Sequence, residues 1–174
     1  MGPEATMKAW PFLGVLLLGT LFTAGCREAA YKLMLETSYD RDVALILPDE
    51  LEQLMDGGSV VLLDTRSPAE YEVSHIKGAI LIPYDGVTEG ELMRFPRDAQ
   101  IVVYCAVGFR SETIGAQMRE LGYVNIQNLY GGIFNWVNEN RPVVAGLETM
   151  TRRVHGYSPF WAFWISNPEI EIVY

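Results

Sequence analysis

The chain has 174 residues, of which 49% are hydrophobic and 20% are charged, so it can form one globular domain with extensions. Its formal net charge of −9 and its pI near 4.7 argue against nucleic acid as a partner and against electrostatic docking on anionic lipid. It contains two cysteines in unrelated sequence contexts, which imply no disulfide framework.

The N-terminal segment predicts export. A run without charged residues follows Lys8 and ends in two small residues immediately before Cys26. This run has the length of a signal-peptide core and is short for a membrane-spanning helix. Its end resembles a bacterial lipobox, so we expect residues 1–25 to be a lipoprotein signal peptide and Cys26 to be the site of lipid attachment. The alternative is an uncleaved N-terminal membrane anchor.

A lipid on Cys26 predicts where the protein resides. Acyl chains bind membranes because each buried CH₂ contributes about 0.8 kcal/mol. We therefore expect a protein anchored in the bacterial cell envelope that faces the periplasm or the cell exterior. Residues 26–44 are then a tether and lead-in between the lipid anchor and the folded domain.

Strands and helices alternate along the middle of the chain. The sequence predicts helices over 48–57, 68–74, 89–94, 111–122 and 132–138, and strands over 59–64, 79–82, 100–105 and 125–129. The strand over 59–64 is an almost unbroken apolar run, which is typical of parallel strands buried on both faces. The alternation predicts an α/β fold with a central parallel β-sheet flanked by helices on both faces.

The loop after the strand over 100–105 is the main candidate for a site. Cys105 ends that strand, and the next helix is expected to begin with Ser111 as its N-cap. A loop over a helix N-terminus directs backbone N–H groups and dipole charge to one point, which favours a thiolate. Gly108 permits a tight turn, and Arg110 supplies positive charge for an anionic substrate. The alternative is a small buried cysteine that only packs in the core.

Four ordered motifs resemble those of rhodanese-type sulfurtransferases. They are the loop Cys105-Ala106-Val107-Gly108-Phe109-Arg110-Ser111, the stretch Val61 to Arg66 followed by Glu70-Tyr71, the stretch Ser74 to Pro83, and the stretch Leu129 to Trp136. Ser74 departs from the pattern, because a glycine usually stands there. The resemblance implies a rhodanese-like domain over residues 45–142.

The resemblance also implies an activity. Cys105 would carry a sulfane sulfur as a persulfide, taken from thiosulfate, polysulfide or a protein persulfide and passed to a thiol, a protein acceptor or another nucleophile. The substrate-binding loop would be Ala106, Val107, Gly108, Phe109, Arg110 and Ser111. Asp64 and Arg66 would support this loop, although a purely structural ion pair is the favoured interpretation. This chemistry requires no organic cofactor and no metal.

Two other classes of function stay open. Phosphatases and arsenate reductases on the same scaffold resemble Cys, five residues, then Arg, whereas four residues, Ala106 to Phe109, precede Arg110 here. A smaller loop suits one sulfur atom better than a tetrahedral oxyanion. A non-catalytic or redox interaction module is the second alternative, although such domains usually lack the loop cysteine.

The C-terminal extension, residues 143–174, carries a dense aromatic cluster. We expect it to pack on the side of the domain, and its alternating end over 168–174 predicts an edge strand. A patch that lies at a membrane surface is the alternative, because Trp and Tyr are enriched at the membrane–water interface. His155 has no acidic or cysteine neighbours at ligand spacing, so we expect no metal there.

Overall fold

The computed structural model describes residues 11–39 and 42–174, and the chain divides into two compact units, Met1–Glu36 and Thr37–Tyr174. Helix α1 spans Pro11–Ser38, and the exposed Cys26 lies within it. The expected boundary at Cys26 thus falls inside a continuous helix, and the expected tether over 26–44 is helical as far as Ser38. Part of the expected signal peptide, residues 1–10, lies outside the described residues. Among the helices of the described part, none combines the length and the apolar character needed to cross a membrane.

The second unit is built on a five-stranded parallel sheet. Its strands are β1 (Ala44–Ile46), β2 (Val60–Asp64), β3 (Ile80–Leu81), β4 (Gln100–Tyr104) and β5 (Ile126–Leu129), in the order β1-β5-β4-β2-β3. The intervening helices are α2 (Pro48–Asp56), α3 (Pro68–Val73), α4 (Glu89–Leu92) and α5 (Phe109–Glu120), and α6 (Gly132–Asn138) follows β5. The predicted α/β fold is therefore confirmed.

Strand β4 lies at the centre of this sheet because its side chains suit burial on both faces. It pairs with β2 along its whole length, with Leu63 opposite Val103, and both side chains are fully buried. Ile114 and Met118 of α5 join the same apolar core. This packing holds the carboxyl end of β4 rigidly, and in parallel sheets that is the edge where ligands bind.

The start of α5 differs from the sequence prediction. The helix begins at Phe109, and its N-cap is Gly108 in the left-handed region with φ of 105°, so the prediction of Ser111 as N-cap is wrong. Gly108 can adopt this conformation because it has no Cβ, and the N-cap therefore lies three residues earlier than predicted. The remaining predicted boundaries in the sheet domain agree with the structure to within two residues.

The C-terminal extension forms two small sheets and a short helix. Strands β6 (Val143–Ala145) and β7 (Thr149–Thr151) pair antiparallel, whereas β8 (Arg153–His155) and β9 (Glu171–Val173) pair in parallel around α7 (Pro159–Ala162). The strand expected over 168–174 is thus present as β9. The side-chain amide of Asn138 in α6 donates to Trp164 O (2.8 Å), and that of Asn167 donates to Val137 O (2.7 Å). These bonds join the extension to the sheet domain.

Candidate active site

Cys105 follows β4 directly and lies at the base of the loop that leads into α5. Its side chain is buried, and its Sγ accepts a hydrogen bond from the backbone N–H of Gly108 at 3.1 Å. A loop that turns back on its own sulfur over three residues brings its peptide groups around that atom. The loop therefore places at least one backbone donor, the N–H of Gly108, directly on the sulfur of Cys105.

The surrounding scaffold holds four consecutive carbonyl groups of this loop. The contacts are Ile133 N–H to Cys105 O (2.9 Å), Phe134 N–H to Ala106 O (3.0 Å), Tyr39 Oη–H to Val107 O (2.7 Å) and Asn128 Nδ2–H to Gly108 O (2.9 Å). In a trans peptide the C=O and the following N–H point in opposite directions. Carbonyls fixed toward the scaffold therefore turn the loop N–H groups the other way, and the bond from Gly108 to Sγ is one result. A preorganised backbone donor of this kind can stabilise negative charge on sulfur.

Two glycines permit this close packing. Gly132 has φ of 55°, and a Cβ on it would lie 2.4 Å from Cys105 O. A Cβ on Gly108 would lie 2.3 Å from the hydroxyl oxygen of Tyr39. Side chains at either position would push the loop away from its donors.

Tyr39 and Ser111 support the loop from behind. Burial raises the pKa of Tyr39 far above its usual range, so its hydroxyl stays protonated and remains a donor. The Ser111 hydroxyl donates to Asn128 Oδ1 at 2.8 Å, and Asn128 in turn donates to Gly108. Ser111 was predicted as part of the substrate-binding loop, and the structure places its buried side chain in this supporting network.

Arg110 makes a two-pronged ion pair with Glu70 of α3. Its Nη1 and Nη2 donate to Glu70 Oε2 (2.8 Å) and Oε1 (2.7 Å). The Glu70 carboxylate is 1% exposed and also accepts from the backbone and hydroxyl of Ser67. Burial alone would raise the pKa of Glu70, but the hydrogen bonds and charge of Arg110 and the bond from Ser67 outweigh it and lower the pKa to about 2. Both groups therefore stay ionised at neutral pH, and Glu70 balances the charge of Arg110.

Asp64 and Arg66 form a separate pair that is fully buried. Arg66 Nη2 donates to Asp64 Oδ2 and to Ser74 O, each at 2.6 Å. These contacts join the end of β2 to the residue after α3 and do not reach the loop. Glu70, which the sequence analysis noted only as part of a motif, makes the direct contact with loop residue Arg110.

A cavity of about 130 Å³ opens over the loop. Loop side chains, including those of Cys105, Phe109 and Arg110, line one part of it, and Tyr157 and Trp161 of the C-terminal extension line another. The Arg110 guanidinium carbon lies 5.1 Å from the centre of the Tyr157 ring, and the Phe109 and Trp161 rings meet edge to face at 5.7 Å. The cavity is therefore mostly aromatic and aliphatic, with one balanced cation.

Sequence reasoning missed Tyr157, Trp161 and Tyr39 as site residues. The aromatic cluster was visible, but nothing in its spacing indicates which ring reaches the loop. Cys26, the expected lipid site, lies in α1 of the first unit. No group of three or more His, Cys, Asp or Glu side chains that could hold a metal ion occurs among the residues that the structure describes.

The sheet domain is similar to a known family of domains and to proteins named as sulfurtransferases. A model of the family "Rhodanese-like domain" matches residues 47–139. The chain is 34% identical over 94 residues to a sulfurtransferase of Allochromatium vinosum, covering 54% of this chain and 87% of that protein. It is 37% identical over 99 residues to a probable adenylyltransferase/sulfurtransferase, MoeZ, of Mycobacterium tuberculosis, covering 56% of this chain but only a quarter (25%) of the relative's length.

A solved structure agrees with this placement. The crystal structure of a rhodanese-related protein from Thermoplasma volcanium is similar at a TM-score of 0.53 and 31% sequence identity, covering 59% of this chain and 99% of that one. Together with the match of the family model over more than half of the chain and the cysteine loop at the end of β4, this shows that the chain belongs to the family of rhodanese-like domains, which includes proteins named as sulfurtransferases.

Proposed function

We propose that this protein is a sulfurtransferase that carries sulfur on Cys105. The observation that carries the proposal is the loop itself, in which the backbone N–H of Gly108 donates to the buried Sγ while four loop carbonyls are held by the scaffold. Preorganised N–H groups stabilise the negative charge that remains on sulfur through both half-reactions. The names of the relatives support the same class of reaction.

The reaction proceeds in two balanced steps. The Cys105 thiolate attacks the outer sulfur of a donor R–S–S⁻. A sulfur–sulfur bond forms on Cys105, the donor's sulfur–sulfur bond breaks, and R–S⁻ leaves with the electron pair. An acceptor thiolate R′–S⁻ then attacks the outer sulfur of the Cys105 persulfide, leaves as R′–S–S⁻ and restores the thiolate. No net electrons are gained or lost, and the kinetics are ping-pong.

The mass of the intact protein tests this proposal. Incubation with polysulfide is expected to add the mass of one sulfur atom to the Cys26→Ser variant, and nothing to a variant that carries both Cys26→Ser and Cys105→Ser. Both proteins carry Cys26→Ser because this change removes the other, exposed cysteine of the chain. If no donor adds sulfur to Cys105, the domain is an interaction module. If Cys105-dependent turnover of an aryl phosphate is found instead, it is a phosphatase.

The lining of the cavity supports a preference among donors. Thiosulfate carries a charged SO₃ group that needs a free cation or hydrogen-bond donors, whereas the Arg110 charge is already balanced by Glu70 and the remaining lining is largely apolar. Transfer of an unpaired charge into such a site is unfavourable. We therefore expect kcat/KM for polysulfide or a protein persulfide to exceed that for thiosulfate, and a clearly higher value for thiosulfate would reject this preference.

We also propose that the chain is a lipoprotein of the bacterial envelope, attached through Cys26. The uncharged run and the small residues before this cysteine support it. Outside the cytosol, Cys105 would need an external thiol as acceptor, because the domain has no second cysteine to resolve a persulfide. The test is fractionation and intact mass of parent and Cys26→Ser. A variant that stays in the membrane with residues 1–25 attached, beside a parent without lipid, would show a plain anchor instead.

A further inference from the structure

We propose that the C-terminal extension is part of the substrate site, and that Tyr157 and Trp161 determine which sulfur donor the site accepts. The inference rests on the proposed sulfur transfer and goes beyond it. Both aromatic rings line the cavity above Cys105, although they follow it by some fifty residues in the chain and lie after the matched family segment, residues 47–139.

The backbone at Tyr157 indicates that its ring is held in place. Tyr157 has φ of 62°, in the left-handed region that a bulky side chain rarely adopts. Its N–H donates to His155 Nδ1 (3.0 Å), and the next N–H, of Ser158, donates to Gly156 O (2.7 Å). Strained backbone persists where the surrounding structure enforces it, and it concentrates at binding sites. Here the turn brings the Tyr157 ring against the guanidinium of Arg110.

Trp161 is positioned by equally close packing. It lies in α7, and a Cβ on Gly156 would lie 2.8 Å from both Ala162 Cβ of that helix and Ile172 Cγ2 of β9. The edge-to-face contact with Phe109 then brings the Trp161 ring to the first residue of α5. The backbone that carries the two rings, the aromatic wall of the cavity, is therefore packed against α7 and β9, whereas Tyr157 itself is 54% exposed.

The physical effect of this wall falls on the leaving group. When thiosulfate donates sulfur, sulfite leaves as a dianion and needs water or an available cation. The indole and phenol rings present apolar surface on one side of the cavity, and Glu70 already pairs with Arg110. When an alkyl persulfide donates, the leaving thiolate carries a carbon chain that can pack on the rings. The wall therefore disfavours thiosulfate and favours a persulfide on an organic thiol.

The experiment compares two sulfur donors in two test variants and two control variants of the full chain. We would measure kcat/KM for thiosulfate and for glutathione persulfide, and the test variants are Trp161→Ala and Tyr157→Gly. Tyr157→Gly removes the ring and relieves the left-handed backbone, so it is expected to unfold no more easily than the parent. Phe163→Ala removes an exposed ring of the same segment that does not line the cavity, and Glu148→Gly relieves the same strain at φ of 60° away from it.

We expect the ratio of thiosulfate to persulfide kcat/KM to rise about tenfold in Trp161→Ala and several-fold in Tyr157→Gly, and to stay within about twofold in both controls. An unchanged ratio in Trp161→Ala and Tyr157→Gly, or an equal change in the controls, would overturn the inference. The sulfur mass on Cys105 is recorded in every variant. If the parent acquires none from either donor, sulfur transfer itself fails; if all variants acquire it and the ratio is constant, only the role of the extension fails.

Discussion

Two arginine–carboxylate pairs flank the end of the central sheet, and they differ in burial and in partners. In the pair of Arg66 and Asp64, both side chains are fully buried and stand two residues apart in the chain. In the pair of Arg110 and Glu70, the residues are 40 positions apart, the carboxylate is buried and the arginine is 22% exposed at the cavity.

This difference shows how similar chemistry serves separate purposes. The inner pair joins β2 to the residue after α3 through Ser74 O, so its effect is on stability. The outer pair joins α3 to the loop and cancels a charge that the cavity would otherwise present, so its effect extends to substrate choice. Removing one partner of a buried pair is costly because it leaves the other charge uncompensated. Variants of the two pairs can therefore separate stability from donor selection.

The largest expected effect is on the inner pair. Asp64→Asn leaves the buried Arg66 cation without its counterion, and we expect the free energy of unfolding at pH 7 to fall by about 3–5 kcal/mol. Urea titration measures this loss, with the exposed Asp56→Asn as a control that is expected to change little. Folded Asp64→Asn protein should still form the Cys105 persulfide. A loss no larger than that of Asp56→Asn would show that the pair does not contribute to stability.

The outer pair predicts a dependence of stability on pH. The pKa of Glu70 is about 2 in the folded protein, against an ordinary value of 4.5. Because the folded pKa is the lower one, this stabilisation is fully present above pH 4.5 and is lost as the pH falls toward 2. We expect the parent to exceed Glu70→Gln by about 3 kcal/mol at pH 7, since each pKa unit corresponds to about 1.4 kcal/mol.

Urea titrations of parent and Glu70→Gln between pH 7 and 3 measure this effect. The difference in free energy of unfolding is expected to shrink steadily below pH 4.5, whereas the exposed Glu120→Gln serves as a control with a small, constant difference. A difference that stays the same at every pH would show that Glu70 acts through packing and not through its charge.

Lysine substitutions compare the two arginines directly. Lysine keeps the charge but cannot form the two-pronged contact with a carboxylate. Arg66→Lys is expected to lose about 2 kcal/mol of stability without affecting kcat/KM, because its contacts lie away from the loop. Arg110→Lys is expected to lose about 1 kcal/mol of stability. It is also expected to lower kcat/KM about tenfold, because lysine cannot hold the loop to Glu70 by two hydrogen bonds. Equal effects of both substitutions on kcat/KM would contradict the separation of the two pairs.

A modest effect is expected at an uncharged support of the loop. The Tyr39 hydroxyl donates to Val107 O (2.7 Å) and accepts from Gly131 N–H (3.0 Å). Tyr39→Phe removes both bonds and is expected to lower stability by about 1–2 kcal/mol and kcat/KM several-fold. Tyr174→Phe, at an exposed position, is the control. If kcat/KM is unchanged while stability falls, the loop keeps its shape without this bond.

The family and the position of the loop cysteine could be predicted from the sequence because both depend on local patterns. The apolar runs and the alternation of elements predict a parallel sheet, and the loop after β4 places Cys105 at its carboxyl edge. The cap of α5 could not be predicted, because Ser111 has the right side chain for an N-cap, but the left-handed turn at Gly108 starts the helix earlier.

The sequence by itself determined the fold class, the position of Cys105 and the presence of a cation near it, but not the edge strand β1, which pairs with β5. Only the tertiary structure decided how that cation is used, since Glu70 reaches Arg110 from 40 residues away, and which side chains cover the loop. Tyr39 approaches Val107 across 68 residues, and Trp161 reaches Phe109 from the C-terminal extension. Local propensity and periodicity carry no information on such contacts, because these depend on where distant elements pack once the sheet has formed.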